Sequence, residues 1–543
     1  MCGVSLTVQN VLSIVGNGLS SQRCIDKAVL DARILCAQAR RGPDGRSELS
    51  VRIRNFRIDL CATLLQLRGR ERAQRSLLSN DTAVLAFNGE IYSGLSYESP
   101  EARDTIALFK ELSEARVLSS KLNILSRLRG PWAFVYVDWK EEYILMGKDF
   151  TGRKSLLMHL PDVYDPRLLV CSTGTEFGTG LTNFWSELCR GIHRVDLKGS
   201  KLVVESMPLP IALSLRKNIC INPPRKIISC KCRNCYVFAS LLDRAVKQQV
   251  NLNQRHELYI PSSCKSASIL VLFSGGLDST TIAALAHRHT KIGEVIDLCS
   301  VCFQGGGSPD RIASLHALRE LKAICPGRTW RLIEVDVRID DALTQFQHVS
   351  SLLQPTTSIM DLNIGVALWF ACKARGFATV HNPDGTEETV DDYTSHARVA
   401  LLGQGADELL GGYRRHKIAF DCGGLTKLAD ELDSDMERIW IRNLGRDDRV
   451  VSDTSREARY PFLDEELGHA VSLFPLHHVV DFRFPLGVGD KMILRTTALH
   501  LGLQNTSKRV KCALQFGSKV HKFENVLKSK QQILQVNSYQ ARH

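Results

Sequence analysis

The sequence predicts two domains of different fold class, an antiparallel α+β domain followed by an α/β domain built on a parallel sheet. Three observations predict this division. The 543 residues exceed the roughly 250–300 that one hydrophobic core supports. The first part of the chain alternates short apolar runs with Gly-containing turns, whereas helix-like and strand-like segments alternate from Cys235 onward. A proline-rich, basic stretch, "PLPIALSLRKNICINPPRK", lies between the two patterns and predicts a linker.

The first domain is expected over residues 2–208 and the linker over residues 209–234. Four runs of the first domain, "TAVLAFNGEIY", "WAFVYVDWKEEYILMGKDF", "RLLVCSTG" and "HRVDLKGSKLVVES", have the spacing that is typical of antiparallel hairpins. This domain is therefore expected to contain antiparallel sheets.

The second domain is expected over residues 235–507. A helical segment, "YVFASLLDRAVKQQV", precedes the strands "ILVLF", "VIDLCSVCF", "RLIEVDV" and "VALL". This alternation predicts a parallel sheet covered by helices on both faces. The polar stretch "HNPDGTEETVDDYTSHAR" is expected to be a mobile loop, and residues 508–543 are expected to be a solvated basic tail.

Charge and composition exclude several classes of function. The net charge is +12, and residues 508–543 carry much of it, with eight Lys and Arg against one Glu. Since no aromatic platform is interleaved with these charges, no nucleic-acid partner is expected. No apolar run reaches 18 residues and the start lacks a basic secretory region, so a cytoplasmic protein without a membrane partner is predicted.

The cysteines predict reduced thiols. Their number, 17, is odd and they are scattered over a long chain. Cys230, Cys232 and Cys235 could ligate a metal ion, but no second Cys or His set follows at zinc-finger spacing. No disulfide is therefore expected, and no structural metal.

The stretch "VLFSGGLDST" predicts a phosphate site. An apolar strand ends in a Ser-Gly-Gly turn, and a helix follows whose positive end would face an anion. The P-loop lysine is absent and Asp278 occupies the turn, so this residue is expected to bind Mg²⁺ that accompanies ATP. An ordinary strand-to-helix turn of small residues is the alternative for this stretch taken alone.

A second glycine-rich stretch, "LLGQGADELLGGYRRH", also follows an apolar strand. Ligands of open α/β sheets bind at the carboxyl ends of the strands, so Asp407 is expected to share one Mg²⁺ with Asp278.

Cys2 predicts a second reactive centre. If Met1 is removed, the thiol and the α-amine lie on one residue, and the amine, with a pKa of about 7.7–8.0, can accept the thiol proton. A chance cysteine at this position is the alternative.

Several motifs together resemble the glutamine-dependent asparagine synthetases. "SGGLDS" is similar to the fingerprint of ATP pyrophosphatases, and "GQGADELLGGY", "RDDR", "EARYPFLD" and "GDKMILR" follow in the order of the synthetase half. "RRGPDG", "FNGEIY" and "RDTIALF" resemble the class II amidotransferase half of the same family. "RGPWAFVYVDW", "KDFTGRKSLL" and "ALQFGSKV" resemble a divergent branch of that family in animals and fungi.

The resemblance implies a fold for each half. The first half would be an N-terminal nucleophile domain, an αββα sandwich. The second would be an ATP pyrophosphatase-type domain, similar to the adenine nucleotide α-hydrolases.

The resemblance also implies the roles of individual residues. In the first half Cys2 would attack glutamine, Asn88 and Gly89 would form the oxyanion hole, and the substrate would be held by Arg41, Asn88, Glu90 and Asp104. In the second half ATP would be bound by Ser274, Gly275, Gly276, Asp278, Ser279 and Gly403, Mg²⁺ by Asp278 and Asp407, and phosphate oxygens by the catalytic Lys491.

The implied reaction uses glutamine, aspartate and ATP with Mg²⁺, and a homodimer is left open. Glutamine would supply ammonia, which attacks an aspartyl-adenylate to give asparagine and AMP. Gln404 departs from the family, which has Glu between the two glycines, and loss of a general base typically costs about 10²–10⁴-fold. Lys148 replaces a usual Arg, and Arg40 replaces the His of "HRGPD". A non-catalytic binding platform and an amide-forming enzyme with another acid substrate therefore stay open as alternatives.

Overall fold

The computed structural model describes residues 3–10, 31–67, 76–96, 103–163, 165–175, 184–208, 223–228, 232–251, 266–303, 305, 307–356 and 358–530. Cys2, Cys230, most of the predicted linker and residues 531–543 lie outside the described residues. In the described part of the chain, no helix is long and apolar enough to cross a membrane.

The first domain consists of two antiparallel sheets and three helices within the described ranges. Its strands are β1 (Gly3–Asn10), β2 (Gly45–Ile53), β3 (Phe56–Leu64), β4 (Leu77–Ser79), β5 (Ala83–Gly89), β6 (Trp132–Asp138), β7 (Tyr143–Lys148), β8 (Leu157–His159), β9 (Leu168–Cys171), β10 (Ser186–Glu187), β11 (Gly191–Asp196) and β12 (Val204–Met207). Its helices are α1 (Ala32–Arg41), α2 (Asp104–Glu114) and α3 (Leu118–Arg127). The strand orders are β10-β8-β9-β1-β3-β2 and β12-β11-β7-β6-β5-β4.

The two sheets pack face to face and helices cover their outer faces, which gives a four-layer αββα sandwich. In β1, Val4, Leu6 and Val8 point into the core between the two sheets, because successive residues of a strand face opposite sides. Helix α1 packs on the outer face of the first sheet through Ile34. Helices α2 and α3 cover the outer face of the second sheet, and Leu108 of α2 is fully buried there. The α+β fold predicted for this half is confirmed.

The second domain is built on one seven-stranded sheet with the order β17-β16-β15-β14-β13-β18-β19. Its strands are β13 (Ile269–Leu272), β14 (Ile296–Phe303), β15 (Trp330–Val337), β16 (Arg375–His381), β17 (Glu387–Thr394), β18 (Val399–Leu401) and β19 (Glu457–Arg459). Its helices are α4 (Arg233–Val250), α5 (Leu277–His289), α6 (Pro309–Ile324), α7 (Ile339–Thr344), α8 (Phe346–Leu353), α9 (Ile359–Lys373), α10 (Ala406–Leu410), α11 (Arg414–Ile439), α12 (Gly445–Ser452), α13 (Glu465–Leu473), α14 (Leu476–Val479), α15 (Met492–His500) and α16 (Leu514–Gly517).

The central strands of this sheet are buried on both faces. Ile269 and Val271 of β13 contribute to one hydrophobic core, and Leu270 between them contributes to the core on the opposite face. Strands β15, β14, β13, β18 and β19 run parallel to one another, which confirms the predicted α/β fold. Strands β16 and β17 extend the sheet in antiparallel fashion.

Two segments differ from the sequence-based expectations. The stretch 381–398, expected to be a mobile loop, contains β17, an edge strand whose residues from Glu387 to Asp392 are exposed on both faces, so no apolar alternation marks it. The segment 508–530, expected to be solvated, packs on the second domain. Its core includes the buried side chains of Val520, Phe523 and Leu527. These residues have helical spacing, but the basic residues between them made the apolar pattern hard to recognise in the sequence.

Candidate functional site

The turns that follow two neighbouring parallel strands form the centre of the site. Strands β13 and β18 pair in parallel. The Ser-Gly-Gly turn follows β13, while Gly403 and Gln404 follow β18 by one residue. A Cβ atom placed on Gly403 would lie 3.0 Å from the Cβ of Asp278. The structure therefore brings both glycine-rich motifs together at the carboxyl edge of the sheet.

The turn after β13 depends on Gly275. Its φ is +69°, and a Cβ atom there would lie 2.2 Å from the carbonyl carbon of Ala313 in α6. Only glycine fits such a position. The backbone N–H of Gly276 donates to the Ser274 hydroxyl at 3.3 Å. Helix α5 begins at Leu277, so the turn lies at the positive end of a helix, where an anion is stabilised.

A compact charged cluster lies beside this turn. The Lys491 Nζ is 2.7 and 2.6 Å from the two carboxylate oxygens of Asp278 and 2.7 Å from Oδ1 of Asp407. Lys491 precedes α15 in a left-handed conformation, with φ of +50°. Lys511 of the C-terminal segment forms a further ion pair with Asp407. Four residues that are far apart in the sequence thus form one cluster of alternating charge.

Within the cluster, the neighbouring charges favour the ionised forms of Asp407 and Lys491. Burial opposes ionisation of Asp407, but Lys491 and Lys511 outweigh burial and hold the pKa of its carboxyl well below its ordinary value. Burial likewise opposes the charge of Lys491, and the two carboxylates raise its pKa. At Asp278, burial and the like charge of Asp407 raise the pKa against the pull of Lys491.

A cavity of about 950 Å³ opens over the cluster. Its lining includes the predicted nucleotide and metal residues Ser274, Gly276, Asp278, Ser279, Gly403, Asp407 and Lys491. Gly275 does not line the cavity, because it packs against α6. Asp278 and Asp407 contact the same ammonium group, so both carboxylates are within reach of one cation. This donor set fits Mg²⁺, which commonly takes one or two carboxylates and completes its shell with water and phosphate oxygens.

The family departure, Gln404, lies in the same cavity and contacts a carboxylate. Its Nε2 donates to Oδ2 of Asp447 at 3.2 Å, and Asp447 also lines the cavity. The Arg446 Nε donates to the other oxygen of Asp447 at 2.8 Å. Burial, opposed by Arg446, raises the pKa of Asp447. A carboxylate therefore lies one hydrogen bond away from the position where the family has Glu.

The sequence assigned no role to Glu408, Tyr413 and Lys511, which also line this cavity. Glu408 accepts hydrogen bonds from the Tyr413 hydroxyl and from Asn443, each at 2.7 Å. Lys511 lies 4.3 Å from the centroid of the Tyr413 ring. The glycine-rich motif places Glu408 beside Asp407 at the same sheet edge and also contains Tyr413, whereas no sequence signal distinguished Lys511 from its basic neighbours.

Two of the predicted glutamine-site residues of the first domain, Arg41 and Glu90, contact the second domain. Cys2 lies outside the described residues. The buried Arg41 donates to Oδ2 of Asp448 at 2.8 Å, and Glu90 accepts from Nη2 of Arg459 at 2.6 Å. Asp104 accepts from the backbone N–H of Ile91 at 3.0 Å. In the structure, carboxylate and guanidinium groups of the second domain thus occupy two of the predicted substrate contacts.

The predicted oxyanion-hole residues end strand β5. Asn88 is buried, and neither atom of its side-chain amide has a hydrogen-bond partner within the described ranges. Gly89 has φ of +134°, and a Cβ atom there would lie 2.1 Å from the Pro131 carbonyl oxygen. The unsatisfied amide of Asn88 is the kind of group that a bound ligand can satisfy.

A buried chain of ion pairs connects Arg41 to Glu90 across the boundary between the domains. It runs Arg41–Asp448 (2.8 Å), Asp448–Lys154 (3.7 Å), Lys154–Glu457 (3.5 Å), Glu457–Arg459 (2.9 Å) and Arg459–Glu90 (2.6 Å). Arg41 and Lys154 outweigh the effect of burial and lower the pKa of Asp448. Within the "RDDR" motif, Asp447 therefore faces the cavity while Asp448 faces the first domain.

Comparisons with known proteins match both halves of the chain. The family model described as "Asparagine synthase" matches residues 265–381, and the one described as "Glutamine amidotransferase domain" matches residues 63–177. The chain is 30% identical to asparagine synthetase domain-containing protein 1 of Bos taurus, covering 90% of this chain and 93% of the relative.

Two more distant matches extend the comparison. The chain is 23% identical to putative asparagine synthetase [glutamine-hydrolyzing] 1 of Methanocaldococcus jannaschii, over 85% of this chain and 78% of the relative. Among solved structures, glutamine phosphoribosylpyrophosphate amidotransferase from B. subtilis, complexed with ADP and GMP, matches with 13% identity and a TM-score of 0.28. It covers 63% of this chain and 91% of the matched chain.

Proposed function

Because the chain belongs to the family of asparagine synthetase domain-containing proteins, we propose that it is a two-site enzyme that makes asparagine from aspartate, ATP and glutamine-derived ammonia. The observation that carries this proposal is the Asp278–Lys491–Asp407 cluster beneath the Ser-Gly-Gly turn. It combines a turn suited to phosphate, two carboxylates suited to a hard cation and a buried ammonium in one cavity. Cytoplasmic location and homodimer formation stay predictions of the sequence.

In the second domain, the turn from Ser274 to Gly276 and the positive end of α5 bind the phosphates of ATP. Mg²⁺, held by Asp278 and Asp407, would neutralise charge on the phosphate oxygens when bound. The aspartate side-chain carboxylate attacks the α-phosphorus, and pyrophosphate leaves with the electron pair of the broken P–O bond. Lys491, whose pKa is raised, stays charged and stabilises the negative charge on the departing oxygens.

Ammonia then attacks the carbonyl carbon of the aspartyl-adenylate. The new C–N bond forms, the C–O bond to AMP breaks, and AMP leaves with the bonding electrons. One proton must leave the nitrogen, and the amide of Gln404 cannot accept it. We assign its acceptance to Asp447, the carboxylate that Gln404 contacts at 3.2 Å. The amide nitrogen of Gln404 donates to Asp447. Its carbonyl oxygen can therefore accept a hydrogen bond from ammonia and orient it for attack.

In the first domain, the Cys2 thiol attacks the glutamine amide carbon, and the α-amine passes the thiol proton to the nitrogen of the amide. The C–N bond breaks, ammonia leaves, and the glutamyl thioester that stays on Cys2 is hydrolysed by water to glutamate. Asn88 and Gly89 donate to the oxyanion that develops. Glutamine binding at Arg41 places the substrate carboxylate on the guanidinium that also donates to Asp448. Admission of glutamine is therefore coupled to the contact between the two domains.

The test compares the wild-type full-length protein with Cys2→Ala, supplying Mg-ATP and aspartate with either glutamine or ammonia. We expect Cys2→Ala to abolish glutamine-dependent asparagine and to leave ammonia-dependent asparagine unchanged. Loss of both activities in a folded variant would contradict the division of labour. If AMP appears only when another carboxylic acid replaces aspartate, the ATP-dependent chemistry stands and the acceptor assignment is wrong.

A further inference from the structure

The wall of the cavity around Gln404 carries three charged side chains from two helices. Arg446 and Asp447 lie on α12, and Asp361 lies in the first turn of α9. All three line the cavity, as does Gln404, which follows β18 at the sheet edge where the phosphate turn also lies. A substrate that contacts this wall would therefore lie beside the bound nucleotide.

The guanidinium of Arg446 contacts oxygen atoms through all three of its nitrogens. Its Nε and Nη2 each lie 2.8 Å from Oδ1 of Asp447. Its Nη1 forms an ion pair with Asp361 and donates to the carbonyl oxygen of Arg442 at 3.3 Å. Burial opposes the charge of Arg446, but the two carboxylates outweigh burial and raise its pKa. A substrate carboxylate would have to displace one of these oxygens to form a bidentate pair with Arg446.

This wall favours a cationic group of a ligand over an anionic one, because two carboxylates share a single guanidinium. Of the three side chains, Asp361 is the most exposed, at 13% against 5% for Arg446 and 0% for Asp447. The Asp361 oxygens accept from Arg446 and from the Ser358 hydroxyl. A carboxylate has about four lone-pair sites, so Asp361 can accept further hydrogen bonds from a ligand in the cavity.

The start of α9 holds the Asp361 carboxylate in place. The Ser358 hydroxyl accepts from the backbone N–H of Asp361 at 3.1 Å and donates to Oδ2 of the same residue. The other carboxylate oxygen is held by Arg446. Contacts from both sides restrict the rotamers of Asp361, so little conformational entropy is lost when it binds a ligand.

We propose that Asp361 is a specificity-determining residue of the second domain and that its carboxylate binds the α-ammonium group of the acid that is adenylylated. This inference rests on the proposed function and deepens it, since it requires the acid to be an amino acid. The two carboxylates that share Arg446 then have different tasks. Asp361 recognises the amine of the substrate, and Asp447 accepts the proton of the attacking ammonia.

The test compares aspartate with succinate, which has the same two carboxylates but no amine. Aspartate is the varied substrate of the full-length protein, with Mg-ATP and ammonia, and succinate is its competitive inhibitor. In the wild type we expect the Ki of succinate to exceed the KM of aspartate by about 10- to 100-fold, the usual effect of losing a hydrogen bond between charged groups. Asp361→Asn should raise the KM of aspartate by about the same factor and leave the Ki of succinate unchanged.

Asp341→Asn is the matched control. Asp341 also pairs with an arginine, Arg338 at 3.3 Å, but it is not among the described residues that line the cavity. This variant should leave both constants unchanged. An equal rise of both constants in a folded Asp361→Asn variant would show that Asp361 only supports the wall, and would overturn the assignment.

The outcomes separate this inference from the proposed function. If the wild type makes asparagine but binds succinate as tightly as aspartate, the inference on Asp361 is wrong and the proposed function stands. This comparison needs no variant, so it holds even if Asp361→Asn does not fold. If the folded wild type makes no product from any acid, both are wrong.

Discussion

Among single residues, Gln404 occupies the position where the proposed reaction with ammonia needs a base. An amide cannot serve as a base, yet its contact with Asp447 keeps a carboxylate at the site. Asp447 is fully buried, and its raised pKa increases its affinity for a proton. We therefore propose that Asp447, a carboxylate from α12, takes the place of the family Glu.

The first prediction exchanges these two groups. Asp447→Asn should lower ammonia-dependent asparagine formation by about 10²–10⁴-fold and leave ATP–pyrophosphate exchange, which reports adenylate formation, in place. Adding Gln404→Glu should restore asparagine formation. In the double variant residue 404 carries the carboxylate and residue 447 carries the amide, so the hydrogen-bonded pair again contains a base. Loss of exchange in a folded Asp447→Asn variant would contradict the assignment.

At the scale of elements, the turn between β13 and α5 shows how one residue determines a binding site. Gly275 combines a positive φ with close packing against the backbone of α6. Gly293 also has a positive φ, of +85°, but no atom lies within 4 Å of a Cβ placed there. A substitution at Gly293 therefore tests backbone strain alone, whereas a substitution at Gly275 tests backbone strain together with a steric clash.

The second prediction uses this pair. Gly293→Ala should lower the free energy of unfolding by about 1–2 kcal/mol, the typical penalty for a left-handed non-glycine residue, without changing ATP affinity. Gly275→Ala should also push α6 away from the turn and abolish ATP binding. Denaturant titration and calorimetry measure the two effects, and equal ATP affinity in both variants would refute the importance of the turn.

Helix α6 also carries a titratable contact with the C-terminal segment. A Cβ atom on Gly517 would lie 2.2 Å from Oδ1 of Asp310, so the segment packs directly on this carboxyl. Burial raises the pKa of Asp310 to about 7, although Arg509 opposes the change. Folding raises the pKa of Asp310, so the carboxyl binds its proton more tightly in the folded state than in the unfolded state. The resulting contribution to the free energy of unfolding is complete below about pH 4 and is lost as pH rises through 7.

The third prediction follows from this sign. Asp310→Asn should match the wild type in unfolding free energy near pH 4 and exceed it above pH 7, by on the order of 2–4 kcal/mol. Thermal melts across this range measure the difference. A difference that does not depend on pH would show that the Asp310 carboxyl is not buried by the segment.

At the scale of the whole molecule, buried ion pairs join the two domains. Glu187 of the first domain accepts from Lys148 and from Arg449 of the "RDDR" motif, each at 2.7 Å. Removing one partner from such a group leaves uncompensated charge in a buried interface, which is far more costly than breaking an exposed pair. The surface pair of Arg375 and Asp392 is mostly exposed on both side chains.

The fourth prediction compares these two carboxylates. Glu187→Gln should lower the free energy of unfolding by about 3–5 kcal/mol. Asp392→Asn, which also neutralises the partner of an arginine, should change it by about 0–1 kcal/mol. Equal effects in urea titrations would mean that the interface between the domains is hydrated and contributes little.

The sequence predicted both folds and the convergence of the second-domain motifs, because alternation along strands and short strand-to-helix turns are local features. Contacts between distant parts of the chain were missed. Arg41 and Asp448 are 407 positions apart, and Lys511 lies in a stretch whose composition resembles an ordinary basic tail. The edge strand β17 lacks an apolar face, so periodicity could not reveal it. The role of Cys2 stays a prediction.

We propose that the second domain makes an aspartyl-adenylate and transfers its aspartyl group to ammonia, with release of AMP, although Gln404 replaces the family Glu. The most direct measurement supplies the full-length protein with Mg-ATP and ammonia, and quantifies AMP and asparagine with and without aspartate. Ammonia bypasses Cys2, so the result depends on the second domain alone. The account predicts equal amounts of AMP and asparagine that require aspartate and disappear in Asp278→Asn. Absence of both products from the folded wild-type protein would contradict it.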